Sequence, residues 1–189
     1  MAIERTTGLE ADETTPTGAA APYTAPLVPM MSIVPPPAGW TDAMTGTDGP
    51  RYWDRLLLSE TARIRRYKRS ATVVLVEFAG LDRLAWQWGQ DVGERTLLVV
   101  ARALAAEIRP SDHIARIETV RFGVLLTETS EIEAINFVER ARSTCERELS
   151  VASELVTVGF GWASPPPKQG LRDALAIAER RLAAELAAS

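Results

Sequence analysis

One stretch, residues 115–126, constrains the fold of this chain more than any other: Ala115, Arg116, Ile117, Glu118, Thr119, Val120, Arg121, Phe122, Gly123, Val124, Leu125, Leu126. Two apolar runs flank a short polar segment, Glu118 to Arg121, so the chain must reverse there as a β-hairpin. A tight reversal favours glycine, asparagine or aspartate, because it calls for positive φ. This turn holds Thr119 and Val120 instead, both β-branched and poorly suited to that region. The expectation is a strained φ at one of them, or a turn wider than two residues.

The rest of the pattern builds around that hairpin. Residues 72–78 (Thr-Val-Val-Leu-Val-Glu-Phe) form the continuous apolar run of a strand buried on both faces, with Glu77 near its end. Trp53, Leu56, Leu57, Ile64 and Tyr67 recur at helical spacing over 51–68, and Arg63, Arg65, Arg66, Lys68 and Arg69 crowd its end, where cations suit the helix dipole. That basic cluster reads as a solvated face. Leu97, Val100, Ala101, Leu104 and Ile108 predict a helix from about Asp91, stopped before Pro110. A helix over 131–149 is expected to bury Ile135, Val138, Ala141, Cys145 and Leu149, which makes Cys145 a core filler. Residues 155–162 predict the fourth main strand, and Leu171, Ala174, Leu175, Ala178, Leu182 and Leu186 stripe a last helix. This order implies an α/β sandwich of ferredoxin-like topology, with helices packed on a central, mostly antiparallel mixed sheet.

Composition narrows the class. A net charge of -4 argues against a general nucleic-acid or anionic-membrane binder, so an anionic ligand needs a local basic site. The single Cys145 permits no internal disulfide and fits a reducing compartment, and with one histidine, His113, the common zinc constellations are excluded. No secretory signal opens the chain and no apolar run reaches the ~20 residues of a membrane helix. A cytoplasmic protein is expected. Residues 1–39, rich in Pro, Ala and Thr, read as a disordered tail, and 40–189 as the folded domain. Within the tail, 27–34 is apolar: a sticky linker or a docking motif, the linker slightly favoured.

The residues in this order resemble the GGDEF domain of bacterial diguanylate cyclases. Asp42-Ala43-Met44-Thr45-Gly46 looks like the family's Asp-x-Leu-Thr-Gly, and Val76-Glu77-Phe78 stands at its Asp-Ile-Asp segment. Gly89-Gln90-Asp91-Val92-Gly93-Glu94 resembles Gly-His-x-x-Gly-Asp, residues 115–122 match Ala-Arg-x-Gly-Gly-Asp-Glu-Phe in spacing, and 156–161 resemble the last strand. The family joins two GTP molecules, with carboxylates from the first strand and the turn holding divalent metals. Against that pattern the turn here reads Glu118-Thr119-Val120-Arg121-Phe122, so Val120 and Arg121 take the carboxylate positions and only Glu77 remains acidic. Arg121 is expected to pair with Glu77. The base-reading positions fall on Ala85 and Glu94, and the phosphate-contacting lysine positions on Asp82 and Leu186. Trp86 and Trp88 either plug that pocket or serve as half-buried packing. On these departures the chain is expected not to be an enzyme, with no catalytic residue, no metal and no cofactor.

One site implied by the resemblance remains. Arg109-Pro110-Ser111-Asp112 matches the family's inhibitory Arg-x-x-Asp motif and its distance from the turn, and Arg140 matches a second arginine. Together they imply cyclic di-GMP binding, guanidinium forks taking phosphate and guanine while the carboxylate accepts from guanine nitrogens. Equally, Arg109 and Asp112 fit a helix end and a turn, and Arg140 a charged helix face. Two functions stay open: a cyclic di-GMP receptor that regulates a protein partner, and a ligand-free interaction scaffold. A homodimer is compatible with either.

Overall fold

The β-branched run forms β1 (Ala71–Ala79), and the predicted hairpin supplies β2 (His113–Glu118) and β3 (Arg121–Thr127). The computed structural model describes residues 34–150, 152 and 154–189. The remaining elements are α1 (Pro50–Tyr67), α2 (Leu81–Trp88), α3 (Gln90–Glu107), α4 (Glu131–Glu148), β4 (Thr157–Ala163) and α5 (Leu171–Ala188). The sheet has the order β2-β3-β1-β4. All three pairings are antiparallel, with Val74 opposite Val124 and Trp162 and Glu77 opposite Arg121 and Gly159. A parallel bridge from Asp48 to Ala115 adds to the outer side of β2.

β1 lies between β3 and β4, which is why its sequence does not alternate: both faces are covered. Val74, Val76 and Phe78 join one core with Leu81, Leu84 and Ala85 of α2, Leu97, Val100 and Leu104 of α3, and Phe137 and Val138 of α4. Val73 and Leu75 point the other way, into a second core with Trp53, Leu56 and Leu57 of α1 and Leu171, Ala174 and Ala178 of α5. Emptying the fully buried Phe78 by substitution with alanine would cost about 3–5 kcal/mol. Gly123 has no room for a side chain, since a Cβ there would lie 2.6 Å from the Trp53 ring.

Local chemistry sets the ends of the helices. Pro50 opens α1 at its first position, where a missing N–H costs nothing. Ser130 and Glu133 form a reciprocal capping box at the start of α4.

Three sequence expectations need adjustment. First, α2 was not foreseen: eight residues bounded by Gly80 (φ 89°) and Gly89 (φ 104°), carrying Leu81, Leu84 and Ala85 at i, i+3, i+4. Second, the buried stripe of α4 is Ala134, Phe137, Val138, Ala141 and Cys145, and Ile135 is exposed. Third, residues 34–39, assigned to the tail, touch the domain. Val34 is fully buried, and the Pro35 carbonyl accepts from Arg116 Nη2 at 2.6 Å. The rest of the tail and of the apolar 27–34 segment lies outside the described residues. No helix among the described residues is long and apolar enough to cross a membrane.

The antiparallel order separates two regions. Glu77, the hairpin tip and Leu186 gather at one end of the sheet. The loop from α3 to β2, the end of β3 and the face of α4 meet at the other.

Candidate functional site

At the hairpin the reversal takes two residues, Thr119 and Val120, between the paired Glu118 and Arg121. Neither has positive φ; among the described non-glycine residues that conformation occurs at Lys68, Glu128 and Lys168. The expected strain or widening is therefore absent. A β2–β3 register irregularity between Arg116 and Glu118 lies just before the turn, and bulges of this kind bend a strand and raise its local twist. The turn is also tied down from beneath. Arg116 donates to the Thr119 carbonyl from Nε (3.1 Å) and Nη2 (2.7 Å), and the Phe78 amide donates to the Val120 carbonyl at 3.0 Å.

Arg116 is itself fully buried and forms an ion pair with buried Asp42 at 3.3 Å. Burial pushes its pKa down, and Asp42 opposes that shift. Asp42 in turn accepts from the Thr45 amide (2.9 Å) and hydroxyl (2.6 Å). In the sequence both residues stand only as motif letters, Asp42 within 42–46 and Arg116 within 115–122, with no role attached. The available signal was a strand arginine inside an apolar run.

Above the turn, Arg121 does meet Glu77. Its Nε and Nη2 donate to Glu77 Oε2 at 2.8 and 2.6 Å, and its Nη1 donates to Glu118 Oε1 at 2.8 Å. Beside this pair, Glu179, Leu182, Ala183 and Leu186 of α5 close a small cavity of about 150 Å³. A hard divalent cation needs several oxygen donors. This position offers Glu77 already engaged by a guanidinium, beside Val120 and Arg121, whose side chains supply no oxygen, so its residues do not fit such an ion. No group of three or more His, Cys, Asp or Glu placed to hold a metal occurs among the described residues.

The neighbouring positions are equally specific. Phe122 is buried edge-on against Phe78 at 6.0 Å between centroids. Ala85 is buried under α3, where a Cβ on Gly93 would lie 2.6 Å from the Ala85 Cβ. Glu94 accepts from Gln90 Nε2 at 2.6 Å. Trp86 and Trp88 are 60% and 50% exposed, in line with half-buried packing at the surface, and Trp88 borders a shallow depression with Leu84 and Val92.

At the opposite end of the sheet, Arg109, Asp112 and Arg140 line one pocket of about 600 Å³, together with Glu107, Glu128, Thr129, Glu133, Asn136, Phe137 and Glu139. Three separate stretches converge there: the α3–β2 loop, the end of β3 and α4. Asp112 fixes the loop, accepting from the Arg109 amide (3.1 Å) and the Thr127 amide (3.0 Å). The capping reading of Asp112 thus holds alongside its place in the pocket. Arg140 Nε donates to Glu107 Oε2 at 3.2 Å, and its Nη1 donates to the Asn136 carbonyl. The backbone amide and hydroxyl of Ser130 hold the Glu133 carboxyl below its usual range, with nearby Arg109 adding to the effect. Arg109 forms no ion pair within 4 Å among the described residues.

Residues 39–188 match the family model described as "Diguanylate cyclase, GGDEF domain". The chain belongs to the GGDEF family. Over 99 residues this GGDEF chain is 31% identical to the probable diguanylate cyclase DgcC of Escherichia coli K12, a stretch covering 52% of this chain and 27% of that protein. Over 106 residues it is 27% identical to diguanylate cyclase DosC of the same strain, covering 56% of this chain and 23% of that protein. The matched stretch spans about a quarter of the length of these curated relatives. Among solved structures, the fold superposes with a TM-score of 0.73 on diguanylate cyclase SiaD of Pseudomonas aeruginosa, solved with its activator SiaC, at 25% identity over 80% of this chain and 60% of that one.

The relatives also correct one expectation. They are named as diguanylate cyclases, which are enzymes, so the reading of this chain as a non-enzyme does not stand.

Proposed function

We propose that this GGDEF domain binds cyclic di-GMP in the pocket formed by Arg109, Asp112 and Arg140, and that occupancy acts through α4 on a protein partner. The observation that carries this reading is the convergence of those three side chains on one pocket of about 600 Å³. Two guanidinium groups match the two phosphates and the guanine edges of such a ligand, and a carboxylate accepts from guanine N–H groups. Five carboxylates line the same pocket, Glu107, Asp112, Glu128, Glu133 and Glu139. Selectivity therefore comes from fork geometry and guanine recognition and not from net positive field. A GGDEF domain from DgcB of Caulobacter crescentus, alike in fold at a TM-score of 0.71 and 16% identity over 80% of this chain and 92% of that one, was solved with this dinucleotide.

Equilibrium dialysis with labelled cyclic di-GMP tests the reading: saturable uptake that excess GTP fails to displace is expected, and uptake equal to a protein-free control would overturn it.

A second reading follows from the names of the relatives, in which the chain takes part in joining two GTP molecules. Incubation with GTP and magnesium or manganese decides it, dinucleotide above a no-protein control being the supporting result and none the opposing one.

A further inference from the structure

β4 is an edge strand of the sheet among the described residues. An uncovered edge presents unpaired N–H and C=O groups to any extended segment that meets it. At the other edge of the sheet, backbone covers β2: the Asp48 amide donates to the Ile114 carbonyl at 3.1 Å, and the Arg116 amide donates to the Asp48 carbonyl at 2.9 Å. Among the described residues, no backbone segment does the same for β4.

Side chains do it instead. The Phe160 amide donates to Glu185 Oε2 at 3.0 Å, and the Ser164 amide donates to Glu131 Oε2 at 2.9 Å. Arg142 Nη1 reaches the Val158 carbonyl at 3.5 Å, and Arg181 Nη1 donates to the Trp162 carbonyl. Residues 158, 160, 162 and 164 follow the two-residue period of one strand edge. The four side chains alternate acceptor and donor to match it, and they brace one another in pairs: Arg142 with Glu185 at 2.6 Å, Arg181 with Glu131 at 2.7 Å. Arg142 also stacks over the Phe160 ring at 4.7 Å.

We infer that Glu131 and Arg142 of α4 with Arg181 and Glu185 of α5 act as a surrogate edge strand, which keeps β4 from pairing with the β4 of a second copy of this chain. The flanking surface explains the need. Exposed Ile132 and Ile135 sit beside Phe160 and Trp162 in one open apolar depression, so an unguarded β4 would offer backbone pairing and apolar burial together. A second copy presents the same edge strand beside the same apolar depression, so two β4 strands are matched in both respects.

The test compares Glu131→Ala/Glu185→Ala with Glu131→Gln/Glu185→Gln, whose amide oxygens still accept from the strand. Light scattering coupled to size exclusion should give the alanine variant about twice the wild-type mass, and the glutamine variant the wild-type mass. Equal masses for all three, with the alanine variant folded by circular dichroism, would overturn the inference. Should the alanine variant fail to fold, hydrogen exchange on the wild type decides. The Phe160 and Ser164 amides should exchange at least about tenfold slower than an unstructured peptide, and unslowed exchange at both would overturn the inference.

Discussion

Asp42 and Arg116, 74 residues apart in sequence, form an ion pair that is almost wholly removed from solvent, with 5% and 1% of their side chains exposed. Through it the loop before α1 is locked to the hairpin, because the same guanidinium holds the Thr119 and Pro35 carbonyls. Removing one partner of such a pair strands a buried charge. Arg116→Ala should therefore destabilise the fold by about 3–5 kcal/mol in urea unfolding. A loss below about 1 kcal/mol, the scale of an exposed pair, would contradict the assigned role.

Glu77 and Arg121 make the corresponding pair at the partly exposed tip, on Cα partners of adjacent strands. If the guanidinium is what excludes a cation, Val120→Asp/Arg121→Glu should gain saturable Mn²⁺ binding that the wild type lacks at the same concentration. Isothermal titration with Mn²⁺ checks this, and identical traces for the two proteins would count against the electrostatic account.

Glu107 holds Arg140 at the rim of the pocket. Glu107→Gln weakens that hold and removes a negative charge near the phosphates, so cyclic di-GMP affinity should rise by about 3- to 10-fold. Reduced affinity would show that the pair pre-positions Arg140 instead of competing for it.

Glu131 yields a pH prediction. Burial raises its pKa, but the Ser164 amide and the Arg181 guanidinium outweigh burial and bring it below 4.5. A carboxylate lowered on folding adds stability that is present above its unfolded value and lost as pH falls through the lowered folded value. The melting temperature of wild type should exceed that of Glu131→Gln at neutral pH, and the gap should close below about pH 4.5. A gap independent of pH would rule the linkage out.

Much of the fold was legible because burial leaves a period. A strand covered on both faces gives an unbroken apolar run, as in β1, and a helix against a sheet gives a stripe, as in α3 and α5. Where two stripes share one period, the sequence does not say which faces inward. On α4, Ile132 and Ile135 repeat as regularly as Ala134, Phe137 and Val138, yet the second set is buried. The eight residues of α2 carry a single turn of such a stripe, Leu81, Leu84 and Ala85, and two glycines of positive φ, not a capping side chain, bound them.

For the candidate site the sequence names residues and says little about their arrangement. Arg109, Asp112 and Arg140 line one pocket, and the ion pair of Arg140 with Glu107 joins two helices and leaves no local trace in the sequence. Arg116 was opaque for a different reason: a charged residue normally marks solvent, and only its buried partner Asp42 shows otherwise. The thiol of Cys145 behaved as expected of a core filler, fully buried and pushed up to about 12 by that burial.

The central claim is that Arg109, Asp112 and Arg140 bind cyclic di-GMP, and calorimetric titration of the dinucleotide into wild type and Arg109→Ala tests it most directly. Saturable binding by the wild type, weakened about 10- to 100-fold by loss of one charge-assisted contact, is the predicted result. Absence of heat with the wild type at high concentration, or equal affinity in the two proteins, would contradict it.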